Sequence, residues 1–181
     1  VHMPDYIEWV GTYWDSGANK ELLKSYENLM VPLDQLKVFV MNIEALAFER
    51  SYKIAESFVN CHKTLMVIDE STTIKNRDAK RTKAAVKIGK KADYRRILTG
   101  SPVTNNPLDL YSQANFLNPH LLGFSSYFTF RAKYADMVKI TAGNRAFTKI
   151  KGYKNLEELK NSIRHWSSRR TKDECLDLPG P

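Results

Sequence analysis

Asp69 and Glu70 stand side by side at the end of an apolar run, Leu65-Met66-Val67-Ile68. Adjacent acids at the carboxyl end of a buried strand are suited to hold a hydrated Mg²⁺ and to orient a water, the parts list of nucleotide hydrolysis. The same pattern also fits a strand that leaves the core through a solvated acidic turn, so the pair alone leaves both readings open. A second stretch of the same kind is Ile97-Leu98-Thr99-Gly100-Ser101-Pro102-Val103-Thr104-Asn105-Asn106-Pro107. Gly100 eases a bend and Pro102 fixes the outgoing direction. Thr99 and Ser101 carry short hydroxyls able to reach a neighbouring carboxylate or a phosphate-bound water. If the two strands are neighbours, Thr99 falls near Glu70.

The elements that would position these groups alternate in type. The spacing predicts helices over Lys20–Met30 (capped by Asn19 and closed by Pro32), Ala45–Val59, Ala79–Lys91, Pro107–Leu117 (with Asn106 as cap), Ser125–Met137 and Leu156–Trp166 (capped by Asn155). Strands are predicted at Lys37–Met41, Leu65–Ile68, Tyr94–Leu98 and Ser167–Thr171. Leu65–Ile68 has no polar residue to face water, which suits burial on both faces. Strand–helix alternation with short connections predicts an α/β fold on a parallel sheet. Val138–Tyr153 alternates weakly around Ala142-Gly143-Asn144 and reads as a hairpin or a loop.

Composition narrows the class. At 181 residues, with 43% hydrophobic content, the chain can bury one core. No apolar stretch approaches the roughly 18 residues of a membrane span, so no membrane partner is expected, and the two distant cysteines suit reduced thiols in an intracellular protein. Cys61 and Cys175 form neither a disulfide framework nor a metal pattern, and the four histidines never pair at ligand spacing. Val1-His2-Met3-Pro4 has no apolar signal region, and its His-Met could be a cloning remnant. Lys and Arg total 28 against 20 acids, a net charge of +8, and the excess concentrates in Lys75–Lys91, where only Asp78 is acidic. Such a run suits either a face that meets phosphates or a solvated helix face.

Taken together, order and spacing resemble the helicase-like ATPases of superfamily two, and within them the Swi/Snf-type DNA translocases. The family's Asp-Glu-Ala-His motif and basic turn are matched by Asp69-Glu70-Ser71-Thr72-Thr73-Ile74-Lys75-Asn76. Its Leu-Thr-Gly-Thr-Pro motif is matched by Leu98-Thr99-Gly100-Ser101-Pro102, followed by Asn105-Asn106 and by Leu108–Leu117, which ends in Asn115-Phe116-Leu117. Asn118-Pro119, Val38–Glu44, Arg169-Arg170-Thr171-Lys172 and Leu178-Pro179 continue the likeness. The resemblance implies a three-layer, parallel-sheet RecA-like lobe. It also implies ATP and Mg²⁺ as cofactors of the intact enzyme. Asp69 would hold Mg²⁺ through water and Glu70 would orient or deprotonate the attacking water. Ser71, Thr72, Thr99, Gly100 and Ser101 would couple nucleotide state to DNA grip. Asn42, Lys75, Asn76 and Arg77 would lie near a DNA backbone, with duplex the expected partner.

Two departures qualify that expectation. Ser71-Thr72 replaces Ala-His, and this pair can hydrogen-bond but not ionise. No Gly-x-x-x-x-Gly-Lys-Ser/Thr pattern occurs among the eight glycines: Gly11 and Gly17 lie six apart, but Ala18-Asn19 follows Gly17. The expected fold is therefore a single partial lobe over 1–181, lacking the phosphate-loop strand. It divides into a helical lead-in (1–36), an αβ core with both motifs (37–117) and a helical C-terminal part (118–181). Trp9 and Trp14 would belong to the lead-in. The phosphate-loop segment and a second RecA-like lobe are the expected missing partners, and the piece alone is expected to be inactive. An open edge at Arg95–Leu98 invites self-association. The alternative is a non-catalytic nucleic-acid-binding or interaction module that kept part of the fold. A metal-dependent nuclease built on Asp69-Glu70 would need further converging carboxylates.

Overall fold

The computed structural model describes residues 9–14, 29–30, 36–101, 103, 106–142, 145–170 and 174. The chain separates into two units, Val1–Gly123 and Phe124–Pro181. In the first, strand β1 (Trp9–Trp14) pairs in parallel with β2 (Leu36–Met41), Trp9 opposite Leu36 and Trp14 opposite Met41. The segment expected as a helical lead-in thus contains a strand. Of the helix expected over Lys20–Met30, only Leu29 and Met30 are described, and both are helical. Residues 1–4, Gly17, Ala18, Asn19, Pro32, Pro102, Thr104, Asn105, Gly143, Asn144, Thr171, Lys172, Cys175, Leu178 and Pro179 lie outside the described residues.

After β2 the chain makes a short 3₁₀ turn, Ile43–Ala47, then helix α1 (Glu49–Cys61). The single helix expected over Ala45–Val59 is split because Phe48 adopts extended geometry between the two pieces. α1 buries Ser51, Ala55, Phe58 and Val59, one face at helical spacing. Strand β3 (Leu65–Ile68) follows, then a 3₁₀ turn (Ser71–Ile74), helix α2 (Lys80–Gly89) and strand β4 (Tyr94–Ile97). β3 and β4 are parallel neighbours, Leu65 opposite Tyr94 and Ile68 opposite Ile97. A helix between parallel neighbours supplies the crossover length such pairing needs. A 3₁₀ turn at Pro107–Asp109 leads into α3 (Leu110–Leu117), and the Asn106 side chain accepts the Leu108 N–H at its start.

The core of this unit gathers Leu46, Ala55, Val59, Ile68, Ile74, Ala85, Ile88, Ala92 and Phe116. At one point α2 and α3 approach so closely that only glycine fits: a Cβ on Gly89 would sit 2.7 Å from Cε2 of Phe116. Burial on both faces, expected of β3, does not occur. Ile68 is buried, but Leu65 and Val67 are 52% and 47% exposed, and Tyr94 and Leu98 are exposed as well. Among the described residues β3 and β4 form a two-stranded sheet, so the far edge of β4 carries no strand.

In the second unit, α4 (Tyr127–Tyr134) starts on a capping box in which Ser126 and Thr129 exchange side chain–backbone bonds. The helix expected to run to Met137 stops at Tyr134, because Ala135 turns extended and opens β5 (Ala135–Ala142). β5 pairs antiparallel with β6 (Arg145–Tyr153), with a register shift at Asp136/Met137. The ambiguous stretch is therefore a hairpin. α5 (Leu156–Arg164) follows Asn155, whose φ is +55°; its amide donates to the Lys133 carbonyl instead of capping the helix. Phe124, Phe130 and Tyr134 form an aromatic cluster here. Ser167–Arg170, expected as a strand, has no regular structure.

Candidate functional site

The β3–β4 ladder does not stop where the strands end. Leu98 N donates to the Ile68 carbonyl at 2.9 Å, and Ser71 N donates to the Leu98 carbonyl at 2.9 Å. These two bonds draw the segment after β3 against the segment after β4, and thus bring both motifs to one place. Between them the backbone reverses sharply. Glu70 has φ +46° and ψ +64°, left-handed geometry that costs a non-glycine residue about 1–2 kcal/mol. Its N–H donates to Asp69 Oδ1 at 2.9 Å, so Asp69 props the strained residue from behind.

Glu70 Oε1 accepts two hydroxyl bonds, from Thr72 at 2.7 Å and from Thr99 at 3.1 Å. The second crosses from one motif to the other. Thr99 Oγ1 in turn accepts the Ser101 N–H at 3.2 Å, and Ser101 Oγ donates to the Val103 carbonyl. Asp69, Glu70, Thr72, Thr99, Gly100 and Ser101 are therefore one connected, solvent-facing group. Space is open where a Cβ would stand on Gly100, so that glycine serves the turn and not a close approach.

Ser71 faces the other way. It is fully buried, and its Oγ donates to Oε1 of the equally buried Gln113 at 2.6 Å. Gln113 Nε2 donates to the Asp109 carbonyl at 3.3 Å, and Ser112 Oγ donates to the Lys75 carbonyl at 2.8 Å. α3 thereby clamps both ends of the turn from Ser71 to Lys75. The Ser71-Thr72 pair thus divides its work: one hydroxyl anchors the turn inside, the other holds Glu70 outside. Sequence reasoning gave Gln113 and Ser112 no role. The available signal was a run of polar residues on a helix whose neighbours Leu110, Ala114 and Phe116 are buried.

Lys75 and Arg77 follow on the same turn, each near one acid: Lys75 Nζ lies 3.9 Å from Asp109 Oδ2, and Arg77 Nε lies 3.4 Å from Asp78 Oδ2. Burial pushes the Asp109 carboxyl above its usual range, more than Lys75 lowers it. Asn76 Oδ1 accepts the Asp78 N–H, which fixes the entry to α2. Arg81 Nε donates to the Thr73 carbonyl at 2.8 Å. Asn42 stands apart from this group. It is exposed after β2, its carbonyl accepts the Ala45 N–H, and its side chain caps nothing.

A hydrated Mg²⁺ needs few protein ligands, one or two carboxylates completed by water and substrate phosphate. The solvent-facing Asp69 meets that modest requirement. The described residues hold no cluster of three or more His, Cys, Asp or Glu that could hold a metal ion. No helix of the described residues is long and apolar enough to cross a membrane.

Comparison with known proteins gives a consistent result. Over 116 residues the chain is 35% identical to the TATA-binding protein-associated factor MOT1 of Saccharomyces cerevisiae, covering 62% of this chain and 6% of that protein. Against the SWI/SNF-related matrix-associated actin-dependent regulator of chromatin subfamily A-like protein 1 of Drosophila melanogaster it is 34% identical over 112 residues, 61% of this chain and 14% of the relative. The solved SWI2/SNF2 ATPase core of Sulfolobus solfataricus in complex with dsDNA superposes with a TM-score of 0.56 at 29% identity, over 92% of this chain and 29% of that one. The chain thus spans a small part of these relatives, and its mixed α/β architecture is that of a RecA-like ATPase core. A model of the SNF2-related domain matches residues 16–180, and the chain belongs to that family.

Proposed function

We propose that this chain is the water-activating portion of an ATP-dependent DNA translocase. The observation that carries this reading is the Thr99–Glu70 hydrogen bond, which joins the two motifs across β3 and β4. Asp69 would hold Mg²⁺ through water, and the ion would neutralise charge on the phosphates of ATP. Glu70 would accept a proton from, or orient, the attacking water. Two hydroxyls already fix its Oε1, so the other carboxylate oxygen is held in place for that water. Thr99 and Ser101 would pass changes at Glu70 into the loop after β4. Lys75, Asn76, Arg77 and Asn42 would meet DNA phosphates, giving salt-dependent, largely sequence-independent binding in an intracellular setting.

The phosphate-binding half of the chemistry has no counterpart in this sequence, which lacks any Gly-Lys-Ser/Thr loop. A partner segment bearing that loop and a second RecA-like lobe would complete the site. The 181-residue chain incubated with ATP, Mg²⁺ and duplex DNA should therefore show no turnover. DNA-stimulated turnover that disappears on Glu70→Gln would overturn this. A second reading is a non-catalytic nucleic-acid-binding module, in which Glu70→Gln leaves every activity of the longer protein unchanged. The exposed Leu65, Val67, Tyr94 and Leu98, beside an edge of β4 that carries no strand among the described residues, make self-association the expected behaviour of the isolated chain. Sedimentation as a monodisperse monomer would contradict it.

A further inference from the structure

A cleft of about 240 Å³ lies between α2 and α3, away from the acidic junction. Arg77, Lys83, Lys87 and Lys90 line it, and no acidic residue does. Lys83, Lys87 and Lys90 follow i, i+4, i+7 spacing, which sets them in one row along α2. The row is about 10 Å long at 1.5 Å per residue. Among the described residues neither Lys83 nor Lys90 forms an ion pair, and Lys87 Nζ rests 5.2 Å from the centroid of the Tyr52 ring. Like charges four apart repel, so the helix bears this row at a cost that a bound anion would remove.

A second observation points the same way. Thr82 also lines the cleft; it is 2% exposed, and its Oγ1 is buried with no hydrogen-bond partner. A buried hydroxyl without a partner is uncommon and calls for an explanation such as an absent ligand. Asn115, on α3, adds an amide from the opposite wall. A cationic row, an amide and an unused hydroxyl are donors for tetrahedral oxyanions, not for carboxylate-free apolar ligands. Arg77 belongs both to this cleft and to the turn proposed above to meet DNA.

We infer that the α2–α3 cleft is a second phosphate-binding subsite, which takes backbone phosphates of the duplex that Lys75–Arg77 engages. The row matches about three steps of one strand at 3.4 Å each. The inference rests on the DNA reading and extends it from one turn to a track along α2. The contacts would be to phosphates, so they would add affinity and salt dependence without sequence preference.

The test is fluorescence anisotropy of a labelled short duplex titrated with the full 181-residue chain over a series of salt concentrations. Lys83→Ala/Lys87→Ala/Lys90→Ala should lower the slope of log affinity against log salt by about 2 to 3, at roughly 0.9 per phosphate contact. Thr82→Val, near-isosteric, should weaken binding about fivefold without lowering the unfolding midpoint. A triple variant that keeps the wild-type slope while Lys75→Ala/Arg77→Ala reduces it would overturn the subsite and leave the DNA reading standing. No duplex binding by the wild-type chain would overturn both. Binding of inorganic phosphate at the cleft, read from Tyr111 resonances, with an unchanged duplex slope would assign the site to a small anion and refute the DNA track.

Discussion

The acidic junction after β3 and the basic cleft on α2 both draw on polar residues of α3, yet they are built on opposite principles. At the junction, polar groups are matched. Glu70 is held by Asp69, Thr72 and Thr99, and Ser71 is held by Gln113. In the cleft, charge and hydroxyl are left over: among the described residues Lys83 and Lys90 have no ion pair and the Thr82 hydroxyl has no hydrogen-bond partner. A site that must position a water to within a fraction of an ångström benefits from closed networks. A site that receives a mobile polyanion benefits from unspent cations, since its affinity comes from the charge it neutralises. Under the proposed reading, rigidity and residual charge would serve different tasks within one RecA-like lobe.

The largest effect should come from opening the junction's buried bond. Gln113→Leu leaves the Ser71 hydroxyl unsatisfied in the core and should cost about 1–3 kcal/mol in urea unfolding. Ser71→Ala/Gln113→Leu should recover part of that loss; strict additivity of the two single changes would show that the bond does not couple them. Next comes the close approach of α2 to α3 in the core. Gly89→Ala drives a methyl into Phe116 and should cost about 1 kcal/mol net, because overpacking outweighs the helix-propensity gain. In a Phe116→Leu background the penalty should shrink, and a penalty of unchanged size would contradict the contact.

A smaller change tests whether the junction stores strain. Glu70→Gly should leave stability within about 1 kcal/mol of the wild type, relief of the left-handed backbone being offset by glycine's greater freedom when unfolded. A loss of several kcal/mol would show that the Glu70 side chain holds the fold and not only the site. The smallest effect concerns Asp109. Its carboxyl is raised, so the native state takes up a proton more readily than the unfolded one. The associated stability is complete below the unfolded-state value and is lost as pH rises through the raised one. Wild type should therefore lose stability relative to Asp109→Asn across the acid range just above the usual carboxylate value. Parallel unfolding curves for the two proteins over that range would contradict the shift.

Much of the junction was legible from residue order, because strand ends and the turns after them follow from local pattern. An apolar run that stops at Asp69-Glu70 and a short strand pattern that stops at Thr99-Gly100 can be parallel neighbours only if the helix between them crosses over, and β3 and β4 are indeed paired. Pairings at long range were not legible. Ser71 and Gln113 lie 42 residues apart, and nothing in either neighbourhood names the other. Gly89 reads as a weak point in a helix until Phe116 is known to press on it. β3 misled for a related reason: four apolar residues in a row state what a strand tolerates, not what covers it, and Leu65 and Val67 stand exposed. The hairpin of β5 and β6 stayed ambiguous because its alternation is diluted by Lys139, Lys149 and Lys151.

The proposed function has Glu70 activate water in a DNA-driven ATPase. It is tested most directly in a protein that joins this chain to a phosphate-loop segment and a second lobe. There, Glu70→Gln should cut DNA-stimulated ATP turnover by at least about 100-fold while nucleotide and duplex affinity stay near wild type. Turnover that survives the substitution would contradict the account and leave the junction as a structural turn.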